Sequence, residues 1–361
     1  MNPWENYSPN SSVPWISVSH PQPEANAGEP DSLPERIEML PRHPFRELRK
    51  AANTQGGVLL IYHVIMTFAV MIVMFAVTFV WAFDSAIGGG TDSIDDIVAV
   101  SIKATGWGYL LTVFIGAIIL LLWKKTAYVR HTIFQKGKPI TAGGFFALLS
   151  IMMSVQLVVQ VCNLGLTYLL DAFGVDGSAL QELGNVDTAS LSMFLYIGII
   201  APISEEVLFR GLLLRSIEPY GKKLAVIGSA ILFGLYHGSP IQTPYAMLVG
   251  LVLGYVALEY HVIWAIAMHI FNNLIFAILL PEVLSFLPEQ TVDLILWGTM
   301  FLFFVFAVVI LVTNRKQVSS ICKRERLQKW QRQAFFGAPT VVVLIVVCLI
   351  NLVATTLLLF L

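Results

Sequence analysis

Nine stretches of this chain are apolar over lengths that suit the hydrocarbon core of a bilayer, and no other feature constrains its fold as much. About 20 predominantly apolar residues cross such a core. The stretches run over roughly residues 57–83, 106–123, 143–170, 189–214, 223–238, 243–259, 262–280, 292–312 and 337–360. The fold class they imply is all-α: a polytopic transmembrane helix bundle of about nine spans, preceded by a disordered polar N-terminal tail. The fifth and sixth stretches are short and separated only by GSPIQ, Gly238 to Gln242, and so read as a tight pair. Composition agrees. The chain is 57% hydrophobic and 12% charged, against about 25% charged in a soluble domain, and its mean hydropathy is +0.75.

A net charge of −1 carries no signal for nucleic acid. Cys162, Cys322 and Cys348 have neither disulfide-framework nor metal-ligand spacing. Residues 1–35 are polar and rich in Pro, Ser and Asn, and read as a tail rather than a signal peptide. The basic run Pro41 to Ala52 reads as the cytoplasmic flank of the first span, with a short surface helix as the alternative.

The loops orient the bundle through their Lys and Arg content. Arg42, Arg46, Arg49 and Lys50 precede the first span, Lys124, Lys125, Arg130, Lys136 and Lys138 follow the second, and Arg215, Lys222 and Lys223 follow the fourth. A basic loop over 314–334 follows the eighth. The loops in between are acidic, with Asp84, Asp92, Asp95 and Asp96, then Asp171, Asp176, Glu182 and Asp187, then Glu282, Glu289 and Asp293. This alternation predicts an integral membrane protein with its N-terminus cytoplasmic and its C-terminus outside, and the membrane expected for it is a bacterial plasma membrane.

Deep charge occurs in one place, SEEVLFR, which holds Glu205, Glu206 and Arg210. Each such residue costs about 2.5–3.5 kcal/mol at a helix centre, so the cluster needs internal compensation. Glu206 and Arg210 stand at i, i+4 and can pair. Glu205 is rotated by about 100° from Glu206 and remains available. Pro202, one turn earlier, can free a backbone carbonyl. Two later spans carry matching polar groups: Phe233 and His237 in FGLYHG, and His269 and Asn273 at i, i+4 in HIFNN. His63 and His261 read as packed or interfacial. Gly250 and Gly254 form a GxxxG explained by close helix packing.

A carboxylate, two imidazoles and an amide on three nearly consecutive helices suit hydrolysis, with a glutamate taking a proton from water and His or Asn donors holding an oxyanion. Alternatively, Glu205, His237 and His269 could ligate one metal, such as zinc. The bland alternative is a polar network that fixes helix packing.

These motifs resemble those of the CPBP intramembrane proteases, the ABI or CAAX-protease family, which includes the type II CAAX prenyl endopeptidases. EExxxR corresponds to Glu205, Glu206 and Arg210, FxxxH to Phe233 and His237, and HxxxN to His269 and Asn273. The resemblance covers about residues 189–280. It implies an intramembrane endopeptidase acting on membrane-anchored or lipidated peptides. In it, Glu205 and His237 activate water, Arg210 holds Glu206, and His269 with Asn273 shapes an oxyanion site. Its implied cofactor is a divalent metal or none. Four regions follow: a tail and juxtamembrane segment over 1–55, three spans over 56–188, the catalytic core over 189–280, and the C-terminal spans over 281–361. The competing functions are a non-catalytic scaffold or bacteriocin-immunity-type protein, and an ion-coupled transporter. The sequence leaves oligomeric state open.

Overall fold

The structure, a computed structural model, describes residues 43–88, 94–124, 128–177, 190–323 and 325–357. The polar tail lies outside them. Every described residue in regular structure is helical, as expected where backbone N–H and C=O groups must be paired within their own segment. The long helices are α1 (Pro44–Gly88), α2 (Ile94–Trp123), α3 (Ala142–Ala172), α4 (Leu191–Tyr220), α7 (Val262–Leu284), α8 (Glu289–Thr313) and α11 (Pro339–Leu357). Between them lie α5 (Lys222–Tyr236), α6 (Gln242–Glu259), α9 (Arg315–Lys323) and α10 (Lys329–Phe336).

Seven helices, rather than nine, are long and apolar enough to cross a membrane among the described residues. The difference falls on the expected tight pair. Helix α5 has 15 residues, about 22 Å at 1.5 Å per residue, short of a core about 30 Å thick. Helix α6 has 18 residues, but polar Gln242 and Thr243 open it and Glu259 closes it. The two pack as a hairpin so close that a Cβ on Gly234 would lie 2.7 Å from the Thr243 carbonyl oxygen. A hairpin returns to the side it left, so the alternation of loops on either side of it is preserved. The seven apolar helices make this an integral membrane protein.

The basic flank of the first span is not a separate surface helix. It forms the opening turns of α1, where Leu48 and Ala52 are fully buried. Polar side chains cap several helix starts: Thr141 accepts from Gly144 N–H, Ser190 from Met193 N–H, and His261 from Ile263 N–H.

The basic loops are knitted to one another. The Gly137 and Lys138 amides donate to the carbonyls of Tyr260 and Glu259. Lys138 Nζ lies 3.0 Å from Glu259, Arg215 reaches the Ala257 carbonyl at 2.7 Å, and Lys223 reaches the Cys322 carbonyl at 3.0 Å. The loops after α2, α4, α6 and α8 therefore share one end of the bundle.

His261 does more than sit at a span end. Its Nδ1 accepts from Ile263 N–H, so its other nitrogen, Nε2, carries the proton and donates to the Phe134 carbonyl at 3.1 Å. Burial, and secondarily Arg215 and Lys136, hold its pKa below 6.5 against the raising effect of the Phe134 contact. The unfolded chain then takes up the proton first as pH falls. The contribution of His261 to stability is full above about pH 6.5 and is lost as pH drops from there toward the folded value. We expect the melting temperature in detergent to fall on acidification below this pH, and to fall less in His261→Asn, which caps without titrating. Equal acid sensitivity in both proteins would contradict this.

Candidate active site

Helix α4 carries the two glutamates, and it is not a regular α-helix. It widens into π turns over Tyr196–Ile200 and again over Glu206–Leu214, a distortion frequent at functional sites. Pro202 accounts for part of it. In a π turn the donor to the Ile197 carbonyl would be residue 202, and proline has no N–H. The freed Ile197 carbonyl instead accepts from Asn273 Nδ2 at 3.1 Å. Helix α7 is likewise widened over Phe271–Leu279, the stretch that bears Asn273.

Glu206 and Arg210 are both fully buried, and Arg210 Nη1 lies 2.8 Å from Glu206 Oε1. The guanidinium is held on two further sides. Nη2 donates to the Gly250 carbonyl at 3.3 Å, and the group sits 4.2 Å from the centre of the Phe233 ring. A Cβ on Gly250 would meet Arg210 Nη2, Phe233 and the Ala230 backbone at 3.2 Å each. The GxxxG glycine thus serves close packing and lets the arginine reach the backbone.

His269 lies against both glutamates. Its Nδ1 is 3.0 Å from Glu206 Oε1 and its Nε2 is 3.8 Å from Glu205 Oε2. A carboxylate already accepting from Arg210 has no proton to give, so Nδ1–H is the donor to Glu206. Glu205 keeps partial exposure, 24% for its side chain, and faces a cavity of about 530 Å³ that His237, His269 and Asn273 also line.

Phe233 explains its spacing from His237. Its carbonyl is 2.8 Å from His237 Nδ1 and must be the acceptor. Its ring stands edge-on to both His237 and His269. His237 is therefore fixed through Nδ1–H, leaving Nε2 as an acceptor.

Three residues of the site carry no charge or motif spacing that marks them in the sequence: Asn272, Tyr245 and Gln156. Asn272 donates to Asn273 Oδ1 at 2.8 Å and accepts from Tyr245 Oη at 2.7 Å and Gln156 Nε2 at 2.8 Å. With Oδ1 taken by Asn272 and one N–H by Ile197, Asn273 has a single N–H left. The doubled asparagine in HIFNN and the three amides Gln156, Gln160 and Asn163 in the third span are the available signals. His63 is not isolated either. It stands edge-on to Tyr236, and its Nε2 is 3.4 Å from Asn351 Nδ2.

Among the described residues no three His, Cys, Asp or Glu side chains gather at ligand spacing. Glu205, His237 and His269 share the cavity; His237 and His269 each bond Nδ1 to a carbonyl or carboxylate, which leaves Nε2 of each ring as the atom that could meet a ligand.

Breaking a buried pair from one side strands the other charge, at about 3–5 kcal/mol. Glu206→Ala and Arg210→Ala should each lower the melting temperature in detergent and abolish activity. Glu206→Gln/Arg210→Gln should recover part of the stability while staying inactive. In a double-mutant cycle, additive losses for Glu206 and Arg210, or stronger coupling of Arg210 to Glu205, would reverse the assignment of the two glutamates.

Residues 187–275 match the family model described as Type II CAAX prenyl endopeptidase Rce1-like. Comparison with curated proteins and with solved structures returned no match. The matched stretch contains Glu205, Glu206, Arg210, His237, His269 and Asn273. The site-bearing segment of this membrane protein is thus similar to the Rce1-like type II CAAX prenyl endopeptidases, the family group its three motifs resemble.

Proposed function

We propose that this protein is an intramembrane endopeptidase that hydrolyses membrane-anchored or lipidated peptides with a water activated by Glu205. The observation that carries the reading is the division of labour between adjacent carboxylates. Glu206 is sealed against Arg210 and His269, while Glu205 faces the cavity. A structural network has no use for the second, half-free carboxylate. The match of residues 187–275 to prenyl endopeptidases supports a lipidated-peptide substrate class.

In this mechanism Glu205 and the free Nε2 of His237 orient a water, and Glu205 takes its proton as the oxygen attacks the scissile carbonyl carbon. The carbonyl π electrons move to oxygen. The remaining N–H of Asn273 donates to that oxyanion. With a proton on each ring nitrogen, His269 donates through Nδ1 to Glu206 and through Nε2 to the same oxygen. Glu205 then returns its proton to the leaving amine as the C–N bond breaks. Arg210 and Glu206 act by holding His269, and Asn272, Tyr245 and Gln156 by holding Asn273.

The site lies within a plasma membrane whose cytoplasmic side receives the basic loops, with the N-terminus inside and the C-terminus outside. Cysteines introduced at 124–140 or 314–334 should then react with an impermeant maleimide only after permeabilisation, whereas those at 84–100 or 172–188 should react on intact cells. Labelling of the 314–334 loop on intact cells would overturn the orientation.

The reaction is tested with a fluorescence-quenched farnesylated CAAX peptide and purified protein in proteoliposomes. Glu205→Gln should lower kcat by roughly 10²–10⁴-fold with a melting temperature close to wild type. Retention of near-wild-type turnover by this variant would remove Glu205 from the role of base.

A further inference from the structure

Beyond Gln156, two amides of the cavity wall have no part in the mechanism above. Helix α3 turns Gln156, Gln160 and Asn163 into the cavity that Glu205, His237 and His269 line. These positions are i, i+4 and i+7, which fall within about 60° of one another on a helix. Around them the helix is apolar. Met152 and Met153 are buried in the core, and Val158, Val161 and Leu164 face outward. Gln156, at the foot of the row, is tied to Tyr245 and Asn272. Gln160 is exposed and Asn163 half-buried, and neither makes a side-chain hydrogen bond among the described residues.

Helix packing explains Gln156 but not the other two. An amide side chain offers two N–H donors and a carbonyl acceptor, the same groups a peptide unit presents. A peptide bond open to attack cannot be hidden in a helix, and an extended segment within a membrane has unpaired N–H and C=O groups that need partners. The row rises about 10 Å from Gln156 to Asn163 at 1.5 Å per residue, the length of about three extended residues at roughly 3.3 Å each. Its foot connects through Asn272 to Asn273, so it runs into the place where the scissile carbonyl would sit. Tyr109 and Tyr196, stacked with centroids 4.6 Å apart, add an aromatic surface to the same cavity.

We propose that Gln156, Gln160 and Asn163 form a main-chain cradle, in which the two outer amides pair with the backbone of an extended substrate segment and lead its scissile bond to Glu205. The proposal rests on the endopeptidase reading. It assigns the row to recognition of peptide backbone rather than of any one side chain, while the tyrosine pair favours apolar side chains.

The test uses the quenched farnesylated peptide and a set of analogues N-methylated singly at the residues flanking the scissile bond, which deletes one backbone N–H each. Gln160→Leu and Asn163→Leu should each raise KM by roughly five- to ten-fold, the worth of one hydrogen bond, with kcat within about two-fold. N-methylation at one or two positions should weaken binding to inactive Glu205→Gln by a similar factor, a readout that needs no change in the row. The same methylation should add little once Gln160→Leu/Asn163→Leu is present. An unchanged KM, or methylation effects undiminished in the double variant, overturns the cradle. So does a fall in kcat at constant KM, which would make the row a water conduit. A wild-type protein that neither binds nor cleaves the peptide overturns the endopeptidase reading and the cradle with it, whereas cleavage insensitive to the row overturns the cradle alone.

Discussion

The ion pair between Glu206 and Arg210 is the contact on which the site depends. Each charge is costly in a membrane helix, and here both are fully enclosed, so the pair depends on the close neighbours of the guanidinium, although Arg210 Nε and Glu206 Oε2 find no hydrogen-bond partner among the described residues. Glu206, the Gly250 carbonyl and the Phe233 face supply three of these. Those neighbours come from α4, α6 and α5, so one charged group fixes the mutual position of three helices. The α5–α6 hairpin is too short to be held by the bilayer as a pair of independent spans, and it is this contact, with the close backbone approach at Gly234, that seats it.

From the pair the order passes outward. Glu206 accepts from His269, which brings α7 against α4 and leaves the other imidazole nitrogen beside Glu205. A second chain of hydrogen bonds, from Gln156 and Tyr245 through Asn272 to Asn273 and the Ile197 carbonyl, fixes the other side of the site. The two chains meet at α7, whose widened turns carry Asn272 and Asn273. The widening of α4 follows the same economy, since the carbonyl that Pro202 leaves without a donor is the one Asn273 uses.

Local relations were legible in the sequence, and distant ones were not. Helical spacing alone places Glu206 with Arg210 and turns Glu205 away, because i, i+4 geometry is internal to one helix. The apolar stretches locate the long helices for the same reason. The hairpin is harder to read because hydropathy measures length and composition, while a 15-residue helix packed inside a bundle needs neither to span nor to face lipid. Gly250 could be read as a packing residue, but its carbonyl's service to Arg210 links positions 40 residues apart. Gln156 reaches Asn272 across 116 residues, and no periodicity in either helix announces that contact. Amides stand out less than charges in an apolar sequence. Gln160 and Asn163 carry no formal charge, yet in an apolar span their unspent hydrogen-bonding capacity is as informative as a carboxylate.

The central claim is that His269 is anchored by Glu206 and not by Glu205. The direct measurement is ¹⁵N-histidine NMR of the protein in detergent, with the His269 resonances identified among seven histidines by their loss in His269→Asn. The account predicts a protonated, hydrogen-bonded Nδ1 that persists in Glu205→Gln and disappears in Glu206→Leu/Arg210→Met, where acceptor and counter-charge are removed together. A signal that survives in the paired variant, or vanishes in Glu205→Gln, would contradict it.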